Sequence, residues 1–215
     1  MLANLFLHYA FDAWMAREFP AVEFERYVDD AVIHCVTEAQ ADHVLGGLTE
    51  RMREVGLELH PDKTRIVYCK DGKRGGAHEH TAFTFLGYTF RARTVRTETG
   101  KFLGFNPAIS KDAMNKISAE VRSWRLHRRT DLTEADIARR INPIVRGWMN
   151  YYGAFYKSAL YPFLARINTY LMRWLRNKYE RLQGRKKARK AWTQAVANRP
   201  RYYAHWKWVA TVPKA

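Results

Sequence analysis

Two adjacent carboxylates, Asp29 and Asp30, stand in the run Phe24-Glu25-Arg26-Tyr27-Val28-Asp29-Asp30-Ala31-Val32-Ile33, between two short stretches of β-forming residues. Like charges that close repel, and a hard divalent cation between them relieves the repulsion. Carboxylates at a hairpin tip can hold two Mg²⁺ ions about 3.5–4 Å apart, one activating an attacking 3′-hydroxyl and the other steadying a departing pyrophosphate. Taken alone, the dipeptide reads first as an ordinary Asp-rich turn. The elements around it decide between the two.

Glu25–Val28 and Ala31–Val36 read as strands of a hairpin joined at Asp29-Asp30, following a helix over Leu2–Arg17. Thr37 with Gln40 fits a capping box and opens a helix to about Val55, which Gly56 ends in a left-handed conformation. Then come Gly56-Leu57-Glu58-Leu59-His60-Pro61-Asp62-Lys63-Thr64, a strand over Thr64–Lys70 and a Gly-rich loop over Asp71–Ala77. Phe83–Phe90 and Arg93–Phe105 read as strands, turning at Glu98–Lys101.

Beyond Pro107 the pattern becomes helical. Ser110 caps a helix to about His127, and Thr133 with Asp136 caps the next, which Pro143 should kink or restart at Asn142. Ile144, Val145, Trp148 and Tyr152 share a face of that segment. In the helix over Ser158–Lys178, Leu160, Leu164, Ile167, Leu171 and Leu175 form the apolar stripe, and Arg166, Tyr170, Arg173 and Asn177 form a second one. A basic run over Gln183–Lys190 enters the last helix.

The charge is unevenly placed. The chain has 215 residues, 37 Lys+Arg and 21 Asp+Glu, a net charge of +16. Residues 1–62 hold 12 acids and 4 bases, whereas from Ile137 onward Glu180 is the one acid against 18 bases. Trp and Tyr residues interleave with those bases. Such a half favours a polyanion, because phosphate contacts release counterions and aromatic faces stack bases; a solvated basic surface around an aromatic core is the plainer alternative. No stretch approaches the roughly 18 apolar residues of a membrane span. Cys35 and Cys69 suit neither a disulfide framework nor a zinc site, which points to a reducing, cytoplasmic setting.

The order of these motifs resembles the reverse transcriptase palm of the group II intron type. Tyr27-Val28-Asp29-Asp30 looks like its active-site hairpin, Gly56 with Lys63 like the next palm motif, and Phe85-Leu86-Gly87-Tyr88 like the primer grip. Ile141-Asn142-Pro143-Ile144-Val145-Arg146-Gly147-Trp148-Met149-Asn150-Tyr151-Tyr152 is similar to the opening of the group II intron maturase-specific region, which follows the thumb and binds intron RNA. The resemblance implies an α+β fold: the late part of a palm over 1–107, with antiparallel strands and two helices, then an all-helical thumb and maturase region over 108–215. It implies Asp29 and Asp30 as ligands of two Mg²⁺ ions and Lys63 as the acid that protonates pyrophosphate.

For RNA contact, Arg146 and Asn150 lie off the apolar stripe that holds Trp148 and Tyr152. They are joined by Arg166, Tyr170 and Arg173, and by the run Arg185, Lys186, Lys187, Arg189 and Lys190. The expected partners are group II intron RNA, an RNA template with a DNA primer in the complete enzyme, and a separate N-terminal fingers–palm polypeptide. Family members carry fingers, a first catalytic aspartate and a Gln-Gly-Gly-type loop upstream of a helix like Leu2–Leu7. Asp12, on a helix, does not take that aspartate's place. The chain by itself is therefore expected not to polymerise DNA. An HNH-type DNA endonuclease is not expected either, since no Cys pairs or His clusters follow residue 182. The alternative is a stand-alone basic RNA-binding module whose palm remnant is only a scaffold.

Overall fold

The computed structural model describes residues 2–72, 75–98 and 100–213. The chain divides into two units, one of Met1–Phe85 with Arg91–Phe105 and one of Leu86–Phe90 with Asn106–Ala215. The class is α+β: two small antiparallel sheets, then helices.

In the first unit, α1 (Leu2–Leu7) passes through a π-helical turn, His8–Asp12, into α2 (Ala13–Glu18). The amphipathic pattern anticipates one helix here, and the widened turn is what it misses. Phe11, Trp14 and Met15 pack on Val44, Leu48 and Met52 of α3 (Glu38–Glu54). Thr37 caps α3 by accepting the Gln40 N–H at 3.1 Å, while Gln40 Oε1 accepts the Val36 N–H at 2.7 Å, one residue before the standard capping box. The helix ends at Gly56, at φ 74°.

β1 (Glu23–Tyr27) and β2 (Asp30–His34) form an antiparallel pair with Tyr27 opposite Asp30. The turn is therefore Val28–Asp29, one residue earlier than anticipated, and Asp30 begins the second strand. Val28 has φ 58°, a conformation that β-branched residues rarely adopt.

The second sheet runs in the order β3 (Ala82–Phe85), β4 (Tyr88–Thr97), β5 (Gly100–Ile109). The strand expected over Phe83–Phe90 is thus two strands, split where Leu86 at φ 49° and Gly87 at φ 77° make a two-residue turn of the I′ kind. Thr99 of the expected Glu98–Lys101 turn, and Lys73 and Arg74 of the Gly-rich loop, lie outside the described residues. No strand forms over Thr64–Lys70, because isolated bonds such as Tyr68 N–H to the His80 carbonyl at 2.8 Å replace a ladder.

The second unit packs α4 (Lys111–Ser123), α5 (Glu134–Tyr152), α6 (Tyr161–Lys178) and α7 (Arg185–Asn198) around one core. Ser110 caps α4, accepting the Ala113 N–H at 3.1 Å. That helix stops at Ser123, short of the anticipated His127, with Arg125 left-handed at φ 45° before a 3₁₀ turn over Leu126–Arg128. Thr133 and Asp136 complete a capping box on α5. Pro143 does not restart α5, which runs unbroken through it. The proline is exposed, so water can serve the carbonyl it leaves unbonded, while Ile141 and Val145 on the opposite face are fully buried. The segment expected as helix from Ser158 begins as a 3₁₀ turn, Lys157–Leu160, and Pro162 sits in the first turn of α6, where it forfeits no bond.

Three side chains hold the C-terminal segment on these helices. Asn142 donates to the Tyr202 carbonyl and accepts from the Ala204 N–H, at 2.9 and 2.8 Å. Asn168 donates to the Val209 and Thr211 carbonyls, each at 3.0 Å. Its Oδ1 accepts from His205 Nε2 at 2.6 Å and Trp206 Nε1 at 3.1 Å. Trp192 Nε1 donates to the Ala210 carbonyl at 2.8 Å.

His205 is fully buried, its Nδ1 has no partner, and burial pushes its pKa from 6.5 down to about 3. The unfolded chain binds this proton near 6.5 and the folded chain only near 3, so the stability is complete above pH 6.5 and drains away as pH falls towards 3. Urea denaturation of the helical unit should weaken by about 1.4 kcal/mol per pH unit in that window. A His205→Gln variant, which can still donate to Asn168, should show a visibly flatter dependence.

Candidate nucleic-acid interface and catalytic hairpin

Alternation along β1 decides what surrounds the two carboxylates. Phe24 and Arg26, with their partners Ile33 and Ala31, form one face; Tyr27 and Asp30 belong to the other. Phe24 and Ile33 pack on the core of the unit. Small Ala31 opposite Arg26 leaves room for the guanidinium, which turns back to the π-helical turn. Arg26 donates twice to Asp12, with both distances 2.7 Å, and its Nη1 donates to the Val28 carbonyl at 2.7 Å. The Arg26 hydrogen bonds hold the Asp12 carboxyl below its usual range, against the opposing effect of burial. Asp12 is thus committed to Arg26 and does not supply a third ligand.

Arg26 bonds the carbonyl of the one hairpin residue with strained φ, immediately before Asp29. Strain of this kind persists where neighbouring groups over-determine it. Removing the guanidinium leaves Asp12 partly buried with the long 3.4 Å contact to His8 Nδ1 in its place. Arg26→Ala should lower the thermal stability of the first unit by about 2 kcal/mol, and Arg26→Lys should recover little because an ammonium cannot form the fork. Calorimetry of the two variants checks both statements.

Asp29 and Asp30 are exposed, and among the described residues no side-chain hydrogen bond or ion pair engages either carboxylate. Their hard oxygens suit Mg²⁺, which here would polarise a 3′-hydroxyl and the departing phosphate. Among the described residues, however, no group of three or more His, Cys, Asp or Glu is placed to hold a metal ion. The hairpin fits part of a Mg²⁺ coordination sphere. Lys63 is exposed in the turn after His60, and no hydrogen bond or ion pair joins it to either aspartate.

The Leu86–Gly87 turn and Tyr88 belong to the helical unit, while Phe85 ends β3 in the first unit. The Ser110 N–H donates to the Gly87 carbonyl at 2.8 Å and the Tyr151 hydroxyl to the Leu86 carbonyl at 2.8 Å.

On the helices, Arg146, Gly147 and Asn150 lie on the exposed face of α5, opposite buried Val145 and Met149. Trp148 is turned inward, stacked on Trp124 with ring centroids 5.7 Å apart. Arg166 and Arg173 are exposed on α6, and the Arg173 guanidinium lies 6.0 Å from the half-buried ring of Tyr170. Arg185, Lys186, Lys187, Arg189 and Lys190 are exposed on the first turns of α7, where buried Ala188 fixes the helix to the core. Among the described residues no ion pair neutralises any of these cations.

Sequence reasoning missed Asp12 with Arg26, and Asn142 with Asn168. The first pair carried a signal: opposite charges on the element flanking the hairpin and on the hairpin itself.

The reverse transcriptase (RNA-dependent DNA polymerase) family model matches residues 1–106, and the group II intron maturase-specific domain model matches residues 114–192. No curated protein matches the chain. Among the described residues no helix is long and apolar enough to cross a membrane. With the Asp29–Asp30 hairpin inside the first match and the basic helices inside the second, the chain belongs to the group II intron reverse transcriptase/maturase family.

Proposed function

We propose that this chain binds group II intron RNA to assist splicing and mobility, through the cations of α5, α6 and α7 on the outside of the helical unit. The observation that carries the reading is their exposure without ion pairs, within the residues matched by the maturase-specific model. Gly147 adds to it. A glycine inside a helix costs about 1 kcal/mol relative to alanine, and a Cβ there would meet nothing within 4 Å. No described atom stands where that Cβ would lie, and the bare backbone leaves room for close approach of an RNA backbone beside Arg146 and Asn150. Gly147→Ala should therefore raise the melting temperature, by an amount equivalent to about 1 kcal/mol, while weakening binding of structured intron RNA. Paired melting and filter-binding measurements check this.

The palm hairpin serves RNA-directed DNA synthesis on an RNA template and DNA primer, with Asp29 and Asp30 holding Mg²⁺ and Lys63 Nζ giving a proton to the leaving pyrophosphate. A domain division at 107/108 would separate these two tasks, and a cytoplasmic setting suits both. Two carboxylates leave the metal site incomplete, so synthesis needs the fingers and first half of the palm, supplied on a partner polypeptide or in the same protein. Added fingers–palm polypeptide should give Mg²⁺-dependent primer extension that Asp29→Ala abolishes. Robust extension by this chain alone, lost in Asp29→Ala, would overturn that requirement. If the two pieces associate and extension still fails, the second reading stands: an RNA-binding module with a non-catalytic palm. The incomplete metal-ligand set is what favours it.

A further inference from the structure

Val28 and Asp29 join β1 to β2, and of the two only Val28 has a positive φ, 58°. One positive φ at the first of two turn residues suits a II′ turn, where glycine is the favoured residue. A β-branched side chain is strained there. Val28 is 40% exposed, so its burial does not account for the conformation. The Val28 carbonyl belongs to the planar peptide unit that leads into Asp29. Fixing the direction of that carbonyl fixes the plane from which the Asp29 carboxylate projects.

The carbonyl is held by a chain of contacts that begins on other elements. Arg26 Nη1 donates to it at 2.7 Å, while Nε and Nη2 donate to the two carboxylate oxygens of Asp12, also at 2.7 Å. The Arg26 side chain is 12% exposed. Asp12 ends the π-helical turn, which the Ala13 N–H closes on the His8 carbonyl. Such turns inside α-helices recur at functional sites. This one is tied to α3, since Arg51 Nε donates to the Ala10 carbonyl at 3.1 Å, and Ala10 and Phe11 are buried. The π-helical turn and α3 thus bear on one carbonyl, the one preceding Asp29.

We propose that Arg26, locked by Asp12, is a positioning residue for the cation site: it holds the strained Val28 turn so that the Asp29 carboxylate faces a divalent cation together with Asp30. This rests on the metal reading of the hairpin given above and adds the residues that make it competent. Charge alone would act the other way. A guanidinium beside a cation site repels the cation, and removing it leaves the Asp12 carboxylate as further attraction. Positioning and charge therefore predict opposite signs for the same substitution.

The test is titration of the full chain with Mn²⁺, a cation that carboxylates bind as they bind Mg²⁺, following free Mn²⁺ by its paramagnetic resonance. Wild type, Arg26→Gln, Arg26→Lys, Arg26→Gln with Val28→Gly, and Asp29→Ala are compared below the lowest of their melting temperatures. The affinity attributable to Asp29 should fall about ten-fold in Arg26→Gln and in Arg26→Lys, whose ammonium cannot reach Asp12 twice and Val28 at once. Glycine needs no clamp to take a positive φ, so the double variant should regain most of the wild-type affinity. If Arg26→Gln does not fold, Arg26→Lys carries the same comparison, with Val28→Gly added to it. Tighter binding in Arg26→Gln, unchanged binding in Arg26→Lys, or no recovery in the double variant overturns the proposal while the metal reading stands. Wild-type binding no stronger than that of Asp29→Ala removes the metal reading itself, and the proposal with it.

Discussion

Replacing Asn168 by alanine should cost the helical unit about 4 kcal/mol, a large fraction of the total stability of a domain this size. The side chain is fully buried and closes four hydrogen bonds: two to the carbonyls of Val209 and Thr211, and two from His205 and Trp206. Alanine deletes one residue's polar groups and strands the buried His205 and Trp206 donors, while the carbonyls of half-buried Val209 and exposed Thr211 lose their partner nearer the surface. Each stranded group costs roughly 1–3 kcal/mol, which outweighs any gain from burying a methyl. Asn168→Asp divides the effect, since it keeps the acceptor for His205 and Trp206 and aims a carboxylate at two carbonyls. Urea denaturation gives the magnitude, and native-state proteolysis after Arg199 or Arg201 gives the location. A loss below 1 kcal/mol would mean that this network does not close the C-terminal segment.

Gly153→Ala should be nearly as damaging, at about 3 kcal/mol. Conformation is not the reason: the backbone lies at φ −90°, ψ 0°, which any residue can adopt. Space is. A Cβ would stand 2.3 Å from the Trp208 ring and 2.4 Å from the Met149 carbonyl oxygen. The ring can swing away, but the carbonyl belongs to the last turn of α5 and moves only if that turn unwinds. Melting temperature and tryptophan emission should therefore shift together, and an unaltered melting temperature would contradict the packing of Trp208 on the end of α5.

The parts legible in the sequence are those written in nearest-neighbour chemistry. Paired aspartates between alternating strands gave away a hairpin, and Thr133 with Asp136 gave away a helix start, because both signals sit within a few residues. The hairpin turn was misplaced by one because it depends on Val28 accepting a left-handed conformation, which local propensity argues against; the Arg26 clamp that stabilises it draws on Asp12, 14 residues away. Pro143 misled in the same sense, since burial of Ile141 and Val145 outweighs a local cost. Thr64–Lys70 has strand composition but no ladder partner, and composition does not carry pairing. Asn168 was least legible of all. It adjoins the apolar stripe of α6, and no neighbour in the sequence points to His205, 37 residues on, which supplies its partner.

The proposed interface on the helices was legible through charge, because from Ile137 onward Glu180 is the one acid against 18 bases. Its most direct test is the salt dependence of binding to structured intron RNA, in wild type and in a variant with Arg166, Arg173, Lys186 and Lys187 all changed to alanine. The logarithm of affinity should fall linearly with the logarithm of salt concentration in wild type, and the slope should flatten by roughly 3 in the variant, about 0.7–0.9 for each phosphate contact removed. An unchanged slope would take those four residues off the RNA and contradict the proposed interface.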